Sequence, residues 1–178
     1  MPDVLGPGLR VLFCGINPGL WSAAVGHHFA RPGNRFWPAL HRAGITSHRI
    51  DASEGFDPAD VDELVRRGVG ITNLVAVATA RADELTPAQL AEGAGRLRAL
   101  VAAMRPKVVA VLGLTAYRAA FRVRSAPTGP QPEPFEGAEL WVLPNPSGLN
   151  AHSQLPDLAR WYRAAAAAAG VELGPNPN

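Results

Sequence analysis

Two asparagines stand where a side-chain amide can meet a ligand. Asn17, in Asn17-Pro18-Gly19, and Asn145, in Asn145-Pro146-Ser147-Gly148, each follow closely on a short apolar run, residues 10–15 and residues 140–143. Such runs read as buried strands, and in open α/β sheets ligands bind outside the carboxyl ends of the strands. If the two strands are neighbours, both Asn-Pro loops face one crevice. The same tripeptide is also good turn chemistry with no ligand at all. The connection over residues 20–33 shows no clear element and is long for a compact domain, which points to function over padding. It carries His27, His28, Phe29 and Arg31. Phe29, in a loop, is placed to stack on a planar ligand. The His-His pair has no evident third metal ligand and reads as a polar pair, so no metal is expected. Asp83 and Glu84 follow a second strand candidate, in a loop that can reach the same crevice or simply carry solvated charge.

The elements that must position these residues alternate along the chain. A second strand candidate covers residues 70–75, a third, apolar on both faces, residues 108–112. The third has the continuous Val-rich character of a central parallel strand. Between them run helices with readable starts. Asn34 reads as an N-cap for a helix through Phe36, Trp37, Leu40 and His41, stopped by Gly44. Asp57-Pro58 opens another, stopped by Gly68. Thr86-Pro87-Ala88-Gln89 is a capping box ahead of a long helix carrying Leu90, Leu97, Leu100, Val101 and Met104. Gly113 turns the third strand into a short helix through Tyr117 and Phe121. Residues 124–136, rich in proline and glycine, read as a surface loop. A last amphipathic helix covers residues 155–169, with Leu155, Leu158, Trp161 and Tyr162 inward and Gly170 as its stop. The expectation is one domain over residues 1–178, an α/β/α sandwich around a mostly parallel sheet, with residues 170–178 a frayed tail.

Composition narrows the classes. The chain has 178 residues, 47% hydrophobic and 18% charged, and Cys14 is its one cysteine. A disulfide scaffold and a cysteine metal cluster are excluded, and Cys14 reads as a small buried hydrophobe. No apolar run approaches a membrane span, and the start lacks the basic and apolar regions of a signal peptide. A cytoplasmic protein is the default. Net charge is +2, mildly basic, and Lys107 is the only lysine among the cations. Arginine makes forked contacts to phosphate, so a polyanionic partner is permitted without being demanded.

Two separated motifs go further. Arg10-Val-Leu-Phe-Cys-Gly-Ile-Asn-Pro-Gly-Leu20, followed by Phe29-Ala-Arg-Pro-Gly-Asn-Arg-Phe-Trp37, resembles the first signature of the mismatch-specific uracil/thymine-DNA glycosylases. Leu143-Pro-Asn-Pro-Ser-Gly-Leu149 resembles their second, and Ile71-Thr-Asn-Leu-Val75 with Ala82-Asp-Glu-Leu85 resembles the stretch between. The likeness runs in one register over about residues 4–165. It implies a parallel-sheet α/β/α fold and an enzyme that hydrolyses the N-glycosidic bond of a flipped-out uracil, best opposite guanine, and leaves an abasic site. It implies no metal and no cofactor.

Residue by residue, the resemblance makes Asn17 the holder of the attacking water. Phe29 would stack on the flipped base, and backbone N–H groups, including that of Ile16, would pair with its edge; fixed dipoles of this kind stabilise a leaving anion. Ser22, Asn34 and Asn73 are candidates for lining the pocket, with a helix cap the equal alternative for Asn34. Asp83 is a second candidate for activating water. Asn145 stands where the wider superfamily has histidine, so a strong donor to the leaving base is missing. Ser147, Gly148, Leu149 and Asn150 would form the wedge that fills the stack and reads the orphaned guanine, an apolar insertion of a known kind. Ala151 replaces a basic residue of some relatives, which weakens the expected grip on the product strand. The expected partner is double-stranded DNA with a G·U mismatch, bound by a monomer. Two rivals stay open: a hydrolase of free nucleosides, for which a Gly148-Leu149 wedge would be useless, and a non-catalytic binder of damaged DNA, which would be free to lose Asn17.

Overall fold

In the computed structural model, which describes residues 1–148 and 153–175, a five-stranded sheet forms the centre in the order β2-β1-β3-β5-β4. The chain runs β1 (Val11–Gly15), α1 (Leu20–Val25), α2 (Phe36–Arg42), α3 (Pro58–Arg66), β2 (Val69–Asn73), α4 (Pro87–Met104), β3 (Val108–Leu112), α5 (Leu114–Phe121), β4 (Gly129–Pro130), β5 (Glu139–Leu143) and α6 (Leu155–Ala168). β2, β1, β3 and β5 are parallel, and β4 is antiparallel to β5. Strand alternation divides the apolar residues between two layers. Val11 and Phe13 face α2, α3 and α6, packing with Phe36, Leu40, Leu64 and Tyr162. Leu12 and Cys14 face α4 and α5, packing with Leu90, Leu97, Val101 and Tyr117. Fully burying each Leu or Phe contributes about 1.5–3 kcal/mol, so each face of β1 is committed and its register cannot slip by one residue. Burial pushes the Cys14 thiol well above its ordinary range, in keeping with an inert core residue.

The expected caps form. Asp57 accepts from Ala59 N at 2.9 Å, and Thr86 and Gln89 cap each other across the first turn of α4. Three expectations need correction. Residues 20–33 do contain an element: α1 starts behind Gly19, with no side-chain cap and no acid in its first turn, so it carries none of the usual start signals. α2 begins one residue later than expected, with Arg35 at the N-cap position; Asn34 instead accepts from Phe36 N at 2.9 Å, a side-chain turn just ahead of the helix. Within the proline-rich stretch, Gly129 and Pro130 form an edge strand on β5, a place where proline's missing N–H costs nothing. A fourth feature, an antiparallel bridge between Val4 and Ile71, had no sequence signal.

Candidate functional site

The carboxyl ends of the parallel strands open into a cleft of about 960 Å³, a size suited to a small ligand or one nucleotide. Its lining includes Ile16, Asn17, Ser22, Phe29, Asn34, Asn73, Asp83, Asn145 and Ser147. Residues from both Asn-Pro loops therefore meet, although β1 and β5 are not adjacent: β3 lies between them. β3 ends level with β1 and β5, at Leu112, and does not run on between the loops. Gly113 ends it at φ 146° and the chain turns at once into α5; a Cβ there would come within 2.8 Å of Ile16 Cδ1. The arm ahead of α2 then crosses to the second loop, with Arg35 N donating to Pro146 O at 3.0 Å and Arg35 Nη2 to Ser147 O at 2.6 Å. Gly148 sits against this arm, where a Cβ would lie 2.8 Å from Gly33 O. Leu149, Asn150 and Ala151 fall outside the described residues.

Asn17 has one fixed orientation. Its Nδ2 donates to Val77 O and to Thr79 Oγ1, both at 2.8 Å, and to Pro18 O at 3.2 Å. Thr79 Oγ1 itself donates to Arg81 O at 2.7 Å, so toward Asn17 it acts as acceptor. This chain of bonds assigns the amide nitrogen and leaves Oδ1, with no protein donor among the described residues, as the atom offered to a ligand. The loops that carry these groups are paired beyond the sheet: Leu74 N donates to Gly15 O, Val75 N to Ile16 O and Thr79 N to Pro18 O. Thr79 was missed in the sequence because its role arises from a contact 62 residues away.

Phe29 is held against its own backbone preference. Its φ is 54°, the left-handed region that bulky residues avoid. Neighbouring bonds impose it: Ala30 N donates to the buried Ser22 Oγ at 3.1 Å, and Trp37 Nε1 donates to His28 O at 3.1 Å. One face of the ring stacks on Phe36, with centroids 4.0 Å apart and planes at 23°. The opposite face is the one a planar ligand can use. Ser22 thus lines the cleft and also braces the residue beside it. Gly15 lets the ring approach β1, since a Cβ there would lie 3.0 Å from Phe29 Cζ and 2.4 Å from Asn73 Oδ1.

Asn73 is oriented by a histidine. His28 Nε2 lies 2.9 Å from Pro2 O and its Nδ1 lies 3.3 Å from Asn73 Nδ2. Burial lowers the His28 pKa, so at neutral pH the ring is uncharged. Nε2–H then donates to Pro2 O, and Nδ1 accepts from Asn73. His27 goes elsewhere, packing edge-on to Phe56 at 4.6 Å. Asp83 lies at the mouth in a short 3-10 turn over Ala82–Glu84, exposed and ion-paired with Arg81, whose Nε donates to Asp83 Oδ1 at 3.1 Å. Asn145 Oδ1 accepts from Ser147 N at 2.9 Å, fixing the turn of the second loop.

The depressed His28 pKa carries a prediction. The unfolded chain takes up a proton near pH 6.5 that the folded chain refuses until lower pH, so stability is present above about pH 6.5 and falls as pH drops below it. Tm measured from pH 7.5 to 5 should decline more steeply in the wild type than in His28→Gln. Parallel curves would place the pH dependence in other groups.

The model of the uracil DNA glycosylase superfamily matches residues 2–169. The chain belongs to this superfamily. A solution NMR structure of a candidate uracil DNA glycosylase from Methanosarcina acetivorans has the same fold, with a TM-score of 0.63 over 96% of each chain at 18% sequence identity. The superfamily's activity gives the cleft its chemistry: hydrolysis of a base from DNA. A fixed amide oxygen, an aromatic face and the ends of parallel strands then lie together in a uracil DNA glycosylase superfamily protein.

Proposed function

We propose that this protein is a monofunctional, mismatch-specific uracil-DNA glycosylase that acts best on uracil opposite guanine. The observation that carries the reading is the fixed Asn17 amide, its Oδ1 without a protein donor among the described residues, in the cleft that Phe29 also lines. The target nucleotide leaves the duplex, a few kcal/mol of unstacking being offset by contacts in the pocket and the stack. Uracil stacks on the free face of Phe29. Asn17 Oδ1 accepts a hydrogen bond from one water and aims its oxygen at C1′. As the C1′–N1 bond breaks, the sugar becomes an oxocarbenium ion and uracil departs with the bonding pair. Water adds at C1′ and gives up a proton, and the uracil anion gains one. Backbone N–H groups near Ile16 stabilise the leaving anion. An amide is a weak base, so Asn17 orients the water more than it deprotonates it. Asp83, at the mouth, is the second group proposed to assist.

Preference for guanine is assigned to the second loop, Asn145 to Asn150, where Leu149 enters the gap and backbone groups pair with the orphaned base. The protein acts as a cytoplasmic monomer. The test is single-turnover release of uracil from duplexes carrying G·U, A·U or G·T, beside free deoxyuridine. The expected order places G·U first, with the free nucleoside uncleaved. Deoxyuridine cleaved as fast as the duplex would replace this reading with that of a nucleoside hydrolase.

A further inference from the structure

Large apolar side chains rarely stand in water without a reason when they cluster. Among the described residues, the exposed large hydrophobic side chains are Met1, Leu20, Trp21 and Val77, the last three at 59%, 50% and 49%. All four belong to segments that carry cleft-lining residues. Met1 itself lines the cleft. Leu20 and Trp21 sit between Gly19 and Ser22, which also line it. Val77 belongs to the loop whose carbonyl fixes Asn17, and that loop is zipped to the Leu20 side by the Gly19–Thr79 bridge. Leu20 and Trp21 therefore stand next in the chain to residues that line the mouth, and Val77 two places away from one, on two segments joined by that bridge. Trp21 is not loose: its Nε1 donates to Ser53 O at 3.3 Å, which ties the polar edge of the indole while half of the side chain stays open to solvent.

The charges near these segments suit one kind of occupant. Arg31 and Arg81 line the mouth and are exposed, Arg81 in its ion pair with Asp83, which leaves Arg31 as the cation offered to a phosphate. Arg31 makes no ion pair or side-chain hydrogen bond among the described residues. An apolar, aromatic edge beside exposed arginine fits a nucleic-acid strand, whose base faces stack on aromatics while phosphates meet the cations. It fits less well with a second copy of a chain that is itself net positive.

We infer that Leu20, Trp21 and Val77 form a second DNA contact, in which the Trp21 indole stacks on a base next to the flipped nucleotide, an inference that rests on the DNA-glycosylase reading above. The contact is made in the bound ground state and in the transition state alike. Its loss therefore weakens binding and leaves the chemical step alone.

The test uses a labelled duplex carrying one G·2′-fluoro-2′-deoxyuridine pair, whose glycosidic bond resists cleavage. In Trp21→Ala its Kd should rise by about tenfold, and Trp21→Phe should recover most of that. Leu20→Ser and Val77→Ser should each raise Kd by about threefold. Single-turnover excision of uracil at saturating enzyme should stay within about twofold of wild type in Trp21→Ala, Trp21→Phe and Leu20→Ser. Unchanged Kd in both Trp21→Ala and Leu20→Ser overturns the inference. So does a wild-type dimer that Trp21→Ala converts to monomer with Kd unmoved, because the edge then covers a second copy. Should wild type release no uracil while Trp21→Ala still loses affinity for the duplex, the contact stands and the glycosylase reading falls.

Discussion

Asn17→Ala should lower single-turnover excision of uracil from a G·U duplex by about 10²–10⁴-fold, with affinity for the duplex within about twofold of wild type. The size follows from what is lost. Oδ1 is the polar atom of this side chain with no protein donor among the described residues, and its orientation is set in advance by Val77 O and Thr79 Oγ1. A water that must find its own position near C1′ surrenders most of the advantage of being held there. Asn17→Asp is the informative companion. Its carboxylate has no N–H to donate to Val77 O, so two acceptors would face each other at what is now 2.8 Å. If excision persists in Asn17→Ala and Asp83→Asn then abolishes it, the carboxylate at the mouth carries the water.

Phe29→Ala should fail twice over. Loss of the stacking face should slow excision by about ten- to a hundredfold, the worth of roughly 1–3 kcal/mol of base–aromatic contact. The fold should also weaken, by about 2–3 kcal/mol, since the same ring stacks on Phe36 at 4.0 Å and large-to-small changes beside a core leave a cavity. The two effects separate in Phe29→Leu, which fills much of the volume without a flat face. Its Tm should recover toward wild type while its excision rate stays low. Normal turnover in Phe29→Ala at low temperature, with an early melt, would make the residue a packing element alone.

The layered fold was readable because its signals are local. Thr86 and Gln89, Asp57 and Pro58, and the apolar run 108–112 each announce their element within a few residues. What lay beyond reach was anything decided by pairing at a distance. The insertion of β3 between β1 and β5 is such a case. The loops were expected to meet if their strands were neighbours; they meet across a third strand, which ends level with their own. α1 was missed because nothing polar caps it. The site shows the same division. Asn17, Phe29, Asn34, Asn73 and Asn145 were identifiable as types in motifs, and all line the cleft. The pairings that aim them were not. Thr79 turns Asn17, His28 turns Asn73, and Ser22 with Trp37 holds the strained backbone of Phe29. None of these pairings has a spacing that a single sequence displays.

The central claim is tested most directly with an end-labelled duplex carrying one G·U pair, incubated with excess protein and divided in two, one half heated in alkali. Free uracil should appear, with the strand intact before alkali and cut at the uracil position after it. Release should all but vanish in Asn17→Ala. No uracil released from the duplex, or a strand already cut without alkali, would contradict a monofunctional uracil-DNA glycosylase.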